Sequence, residues 1–196
     1  MSSTSSAIVV GLGGVANGGK TTMCHSLKRL FSSNKYNLRV LSMHLDHYFR
    51  SPDDPHHVHL DEFNHHDWDS LNALDIDRFL ADIELNRFKC DLLLIEGFLI
   101  FNIPTLSNDY QLFDLMYHFE LPYEECRRRR FERTYYPQHP EGYFDGHVWH
   151  AYVKAKKETL EQFHDKKIVI VNTAKESFEK IEEKIVKDIE TALYKK

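Results

Sequence analysis

The apolar run AIVVGL at 7–12 leads into GVANGGKT at 14–21, and a predicted helix follows directly. These eight residues fit G-x-x-x-x-G-K-[ST] throughout, in the strand-to-helix setting that the pattern requires. A loop carrying Gly18 and Gly19 can aim successive backbone N–H groups at phosphate oxygens, and the helix behind it adds its positive N-terminus. Lys20 is then placed to reach terminal phosphates, and Thr21 to offer a hydroxyl to Mg²⁺. Gly14, Val15, Ala16, Asn17 and Thr22 complete this nucleotide-binding set. The overlapping GLGGVA at 11–16 also fits the G-x-G-x-x-A of a dinucleotide fold. That reading lacks an acidic residue about 20 positions on at a strand end, and it leaves the Lys-Thr pair unexplained.

Further strands are expected at 39–44 (RVLSMH), 91–98 (DLLLIEGF), 115–121 (LMYHFEL) and 167–172 (KIVIVN). Most of these runs are apolar throughout rather than alternating, which suits parallel strands covered on both faces. Helices are expected over 20–33, 70–88, 122–134 and 175–194. In the second, Leu71, Leu74, Phe79, Ile83 and Phe88 point inward, and in the last Phe178, Ile181, Ile185 and Ile189 form one stripe. The order predicts an α/β fold of the P-loop NTPase type, a doubly wound parallel sheet of about five strands with helices on both faces. A chain of 196 residues, 42% hydrophobic, is large enough for one core. We expect a disordered tail over 1–6 and one domain over 7–196, with a substrate loop at about 46–68 and a lid at about 127–147.

In such folds ligands bind at the carboxyl ends of the strands, and two carboxylates stand there. Asp46 follows the second strand and Glu96 ends the third apolar run. A carboxylate closing an apolar run must be paired or face a site, because burying it alone is costly. With Thr21, the two are candidate Mg²⁺ contacts, and Asp46 is also the candidate general base for a substrate hydroxyl.

The net charge of −5 argues against a general nucleic-acid partner, despite the four arginines in EECRRRRFERTYYP. No apolar run is long enough for a membrane span, and MSSTSSA lacks the basic and apolar regions of a signal peptide. Cys24, Cys90 and Cys126 form no CxxC pair, which points to a reducing, cytoplasmic compartment rather than a disulfide framework.

GGVANGGKTT, IEGFLIFN, LPYEECRRRR and GYFDGHVW, spread over almost the whole chain, resemble the nicotinamide riboside kinase family of uridine-kinase-like P-loop kinases. The resemblance implies ATP as co-substrate, Mg²⁺ as cofactor and nicotinamide riboside as small-molecule substrate. It implies Asp46 as catalytic base, helped by Lys20 and Glu96, with His47, Tyr48 and Phe49 beside it in the substrate set. Trp68 and Asp69 correspond to a substrate pair in which the aromatic stacks and the carboxylate holds ribose. Arg130 would join Asp69 on the hydroxyls, and Tyr135, with Tyr136, would supply the second aromatic face. Thr173, Ala174 and Lys175 match the segment that holds adenine.

Consecutive helical residues point about 100° apart, so four arginines cannot all serve one site. Arg129 and Arg133, four apart, share a helical face and are assigned to ATP phosphates as lid arginines. Arg127 and Arg128 are read as structural, with Glu124 pairing Arg128. Asp69 opens a predicted helix, so a plain N-cap role competes with ribose binding. His56, His57, His59, His65 and His66 match no zinc spacing and are read as part of a variable substrate flap, and Phe144 and Trp149 as packing. A binding protein without turnover, a kinase of uridine or another nucleoside, nicotinate riboside as substrate, GTP as donor, and monomer or dimer all remain open.

Overall fold

The computed structural model describes residues 6–108, 112–134, 138–163 and 168–195. The expected tail therefore lies, but for Ser6, outside the described residues, as do Tyr135 and Tyr136. In chain order the elements are β1 (Ile8–Gly14), α1 (Lys20–Phe31), β2 (Val40–His44), β3 (His59–Leu60), β4 (His65–His66), α2 (Ile76–Asn86), β5 (Leu92–Glu96), α3 (Pro104–Asn108), β6 (Leu115–Glu120), α4 (Tyr123–Phe131), α5 (Trp149–Gln162), β7 (Ile168–Asn172) and α6 (Phe178–Tyr194). The main sheet has five strands in the order β2-β5-β1-β6-β7, and every pairing is parallel. β3 and β4 form a small antiparallel pair inside the expected substrate loop.

Alternate residues of the central strands feed two cores, which is why those strands are apolar throughout. Ile8, Val10 and Leu12, with Leu92 and Leu94, pack against α1 and the Ile181, Ile185 and Ile189 stripe of α6. Val9, Leu93 and Ile95 face the other way, toward Phe79 and Ile83 of α2, Leu106 of α3 and Ala155 of α5. All strand carboxyl ends thus lie along one edge of the sheet. The register pairs Glu96 with Leu12 on one side and with His44 on the other, and it sets Phe119 beside Gly14.

Three sequence expectations are corrected. The helix expected over 70–88 starts only at Ile76, because Asp75 caps it by accepting from the backbone N–H of Arg78 at 3.1 Å. The stretch before it pairs with the loop after β2 instead, through a Phe49–Leu74 bridge and through Arg50 N donating to Ala73 O at 2.8 Å. Asp69 is therefore no helix cap. Phe88 lies beyond the end of α2 and is exposed, with Arg87 stacked on its ring. Finally, the end of the expected lid loop is helical: a π turn at Phe144–Val148 runs into α5, for which the sequence reading made no assignment.

Candidate active site

The phosphate loop leaves β1 at Gly14, whose φ is +109°, and a Cβ there would stand 2.3 Å from the carbonyl oxygen of Phe119. Only glycine tolerates that backbone and that approach. Gly11 and Gly13, which suggested a dinucleotide fold, lie inside β1 against Phe101 rather than at a turn. Gly19, at φ +90°, precedes Lys20, the first residue of α1, so the N-terminus of that helix opens onto the loop.

Lys20 is buried, and its Nζ donates to the carbonyl of Val15 at 2.7 Å. Burial lowers its pKa, while the negative charges of Glu96 and Asp46 pull the other way. Thr21 Oγ1 and His44 Nδ1 both donate to Glu96 Oε1, at 3.0 and 2.8 Å. Burial alone would push the Glu96 carboxyl up, but the His44 bond, the Lys20 charge and the Thr21 bond outweigh it and leave it below the usual carboxylate range. Asp46 lies in a single helical turn, Leu45–Tyr48, just past β2. Although part of the residue is open to solvent, burial of its carboxyl group and the charge of Glu96 hold its pKa above the usual range. The two carboxylates and the Thr21 hydroxyl form an oxygen donor set of the kind that suits Mg²⁺, with the Lys20 ammonium beside it as a fixed positive charge rather than a ligand.

Beside the phosphate loop, a cavity of about 330 Å³ is lined by Ala16, Asp46, Phe49, Arg50, Pro52, Trp68, Asp69, Phe98, Arg130 and His139. It gathers Asp46, Phe49, Trp68, Asp69 and Arg130 from the expected substrate set. Tyr48 is not among its walls: its ring packs on Phe79 and its hydroxyl donates to Asp82 at 2.8 Å. His47 is exposed, and its carbonyl accepts from Arg78 at 2.8 Å.

Asp69 Oδ2 accepts from the hydroxyl of Tyr143 at 3.0 Å, and that same hydroxyl accepts from the backbone N–H of Trp68 at 3.3 Å. Burial raises the Asp69 pKa, against the opposing charge of Arg130. Fully buried Tyr143 stacks on His147, whose Nε2 donates to Asp67 Oδ1 at 2.8 Å. The chain after α4 thereby orients the Trp68–Asp69 pair, a role that sequence reasoning missed for Tyr143 and His147. GYFDGHVW marked the segment, but nothing local said where its side chains would point. Phe144 does pack in a core cluster, with Trp149 against it.

The arginines divide by burial. Arg130 is buried, reaches the cavity and donates to His139 Nδ1 at 2.8 Å. Arg129 pairs with Glu125 at 2.7 Å and donates to the phosphate-loop carbonyl of Asn17 at 3.3 Å. Arg133 lies beyond the end of α4, so the shared helical face expected for it with Arg129 does not exist, yet its charge still acts on Lys20. Arg127 holds Asp145 at 3.0 Å. Arg128 pairs with Glu125 at 2.9 Å and Glu132 at 2.5 Å rather than with Glu124. Thr173, Ala174 and Lys175 form the turn after β7, with Thr173 N donating to Glu120 O at 3.2 Å, on the same sheet edge as the phosphate loop. Among the described residues, no helix is long and apolar enough to cross a membrane.

A five-stranded parallel sheet with a glycine loop leading into α1, and carboxylates beside it, defines a phosphotransferase of the P-loop kinase class. A family model described as AAA domain matches residues 10–150. The sequence is 34% identical over 165 residues to nicotinamide riboside kinase 1 of Mus musculus, covering 76% of this chain and 78% of that protein. It is 31% identical over 204 residues to nicotinamide riboside kinase 2 of Homo sapiens, covering 95% and 82%. Among solved structures, thymidylate kinase from Ehrlichia chaffeensis superposes with a TM-score of 0.52 at 11% identity, over 94% of this chain and all of that one, a likeness of fold alone. The chain belongs to the nicotinamide riboside kinase family.

Proposed function

We propose that the protein transfers the terminal phosphoryl group of ATP to the 5′-hydroxyl of nicotinamide riboside, and of nicotinate riboside in the same site, giving the mononucleotide and ADP in NAD biosynthesis. The observation that carries this reading is the shared cavity: Asp46, Trp68, Asp69 and Arg130 line one space that also touches Ala16 of the phosphate loop. A riboside lying there has its sugar beside a carboxylate and a guanidinium, an acceptor and a donor fork suited to vicinal hydroxyls. Its base meets Trp68, whose face suits a positively charged pyridinium ring. Tyr135 and Tyr136, outside the described residues, belong to the same proposal as the second aromatic face. Names of relatives support the substrate class, and uridine remains the rival nucleoside.

In this reading Gly14 to Thr22 hold the triphosphate, with Arg129 and Arg133 adding positive charge and Thr173 to Lys175 contacting adenine. Mg²⁺, when bound by Thr21, Asp46 and Glu96, supplies charge neutralisation at the phosphates. Asp46, with its raised pKa, takes the proton of the 5′-hydroxyl as it attacks in line. Lys20 moves from the Val15 carbonyl to the phosphates and stabilises charge in transfer. One domain over 7–196 in the cytoplasm, with a substrate loop at 46–68 and a lid at 127–147, completes the proposal.

The test is a nucleoside panel with coupled ADP detection. Turnover of nicotinamide riboside well above that of uridine is expected. Uridine as the best substrate, or no ADP with either nicotinoyl riboside, would overturn the reading.

A further inference from the structure

Arg50 has no part in the chemistry above, yet it lines the same cavity as Trp68. Its backbone is pinned, because Arg50 N donates to Ala73 O at 2.8 Å beside the Phe49–Leu74 bridge. The next residue is tied to the aromatic wall: His57 Nε2 contacts Ser51 O at 2.9 Å, and the His57 ring lies 4.5 Å from that of Trp68. Phe49 meets Trp68 at 5.7 Å and Phe98 at 6.0 Å, so the residue next to Arg50 belongs to the aromatic wall, and Arg50 lines the same cavity as that wall. Asp69, Arg130 and His139 line it too, and in the reading above Asp69 and Arg130 take the sugar.

The guanidinium is under-used. Its Nε is buried and bonds to nothing among the described residues, and its ion pair is a loose one, Nη1 to Asp54 Oδ2 at 3.6 Å. Asp54 is already engaged by His56, which contacts Asp54 Oδ1 through its backbone N–H at 2.9 Å and its ring at 2.7 Å. With that ion pair loose, the guanidinium fork of a residue lining the cavity is matched by a planar carboxylate. Resting on the riboside reading above, we infer that Arg50 reads the ring substituent of the base and favours a carboxylate over a carboxamide.

The charges support this direction. A pyridinium riboside bearing a carboxamide carries a net positive charge, and Arg50 repels it. The corresponding acid is a zwitterion, whose carboxylate gives Arg50 a partner while its ring still stacks on Trp68. Arginine stays charged at any working pH, so this selection operates throughout the neutral range.

The experiment measures kcat/KM for nicotinate riboside and nicotinamide riboside with the wild type, Arg50→Gln and Arg50→Lys, alongside thermal melts. In Arg50→Gln the acid-to-amide ratio should fall at least about tenfold, the loss of one charge-assisted pair. Arg50→Lys, which keeps the charge but not the fork, should recover part of that ratio. An unchanged ratio, or equal losses on both substrates, overturns the role of Arg50 while leaving the proposed function standing. A wild type that phosphorylates neither riboside overturns the proposed function, and this inference falls with it.

Discussion

Lys20 Nζ rests on the carbonyl of Val15 at 2.7 Å, five residues back along its own phosphate loop. The side chain is buried, yet its charge lies within the influence of Glu96 and Asp46, so it serves the loop and the carboxylates rather than an apolar core. Lys20→Ala should therefore cut turnover by about 10²-fold or more, the typical worth of a preorganised charge at the transferring group. Its melting temperature should stay near that of the wild type. A purified variant with near wild-type turnover would show that the loop does not hold the phosphates.

Asp46 stands in the helical turn just past β2, where burial of its carboxyl group and the charge of Glu96 raise its pKa. Asp46→Asn should lower kcat by about 10²-fold or more, the usual contribution of a general base, with KM for ATP changed much less. Steady-state kinetics varying each substrate separates the two constants. Parallel losses in ATP binding and turnover would instead make Asp46 a metal contact first and a base second.

Trp68 and Asp69 face the cavity together, held by the Tyr143 hydroxyl. Asp69→Ala should lose kcat/KM for every riboside alike, by roughly 1–3 kcal/mol for a deleted buried hydrogen-bond partner. Trp68→Ala should raise KM most for the cationic nicotinamide riboside, by about 0.5–2 kcal/mol of cation–π contact. If KM for nicotinamide riboside, nicotinate riboside and uridine all stay put in Trp68→Ala, the base is gripped elsewhere.

His118 of β6 is buried under Tyr152, and neither ring nitrogen finds a partner among the described residues. Burial, reinforced by the charges of Lys156 and Lys20, drives its pKa down to about 4. The unfolded chain takes up this proton near pH 6.5 and the folded one only near 4, so stability falls as pH drops through that window. His118→Phe keeps a flat ring and removes both the titration and the unsatisfied nitrogens. Denaturant midpoints at pH 5 and pH 8 should show the variant gaining more at pH 5, by on the order of 1–3 kcal/mol. An equal pH dependence in both proteins would rule out His118 as its source.

The phosphate loop and all five strands of the main sheet were legible in the sequence, because each rests on local constraints: glycines where φ is positive, and apolar runs, unbroken where two covering layers demand it, as in β1 and β5. Glu96 was legible for a related reason, since a carboxylate at the end of the buried strand β5 requires a partner, and Thr21 and His44 supply it. The start of α2 was not. Leu71 and Leu74 carry helical spacing, but the chain around Leu74 is claimed by Phe49 and Arg50, more than twenty residues away, and only Asp75 then starts the helix. Tyr48 was misplaced because it lies in a helical turn between Asp46 and Phe49, and its neighbours in sequence do not reveal that its own ring turns toward Asp82. Which arginine of RRRR is buried, and that Tyr143 and His147 steady the Asp67–Asp69 stretch, depended on how α4 and the turn before α5 dock on the loop at 46–68. Sequence by itself determined where backbone conformation and burial are set by near neighbours; tertiary structure decided wherever a side chain's partner lies far along the chain, since its direction is then chosen by packing energy that no local pattern records.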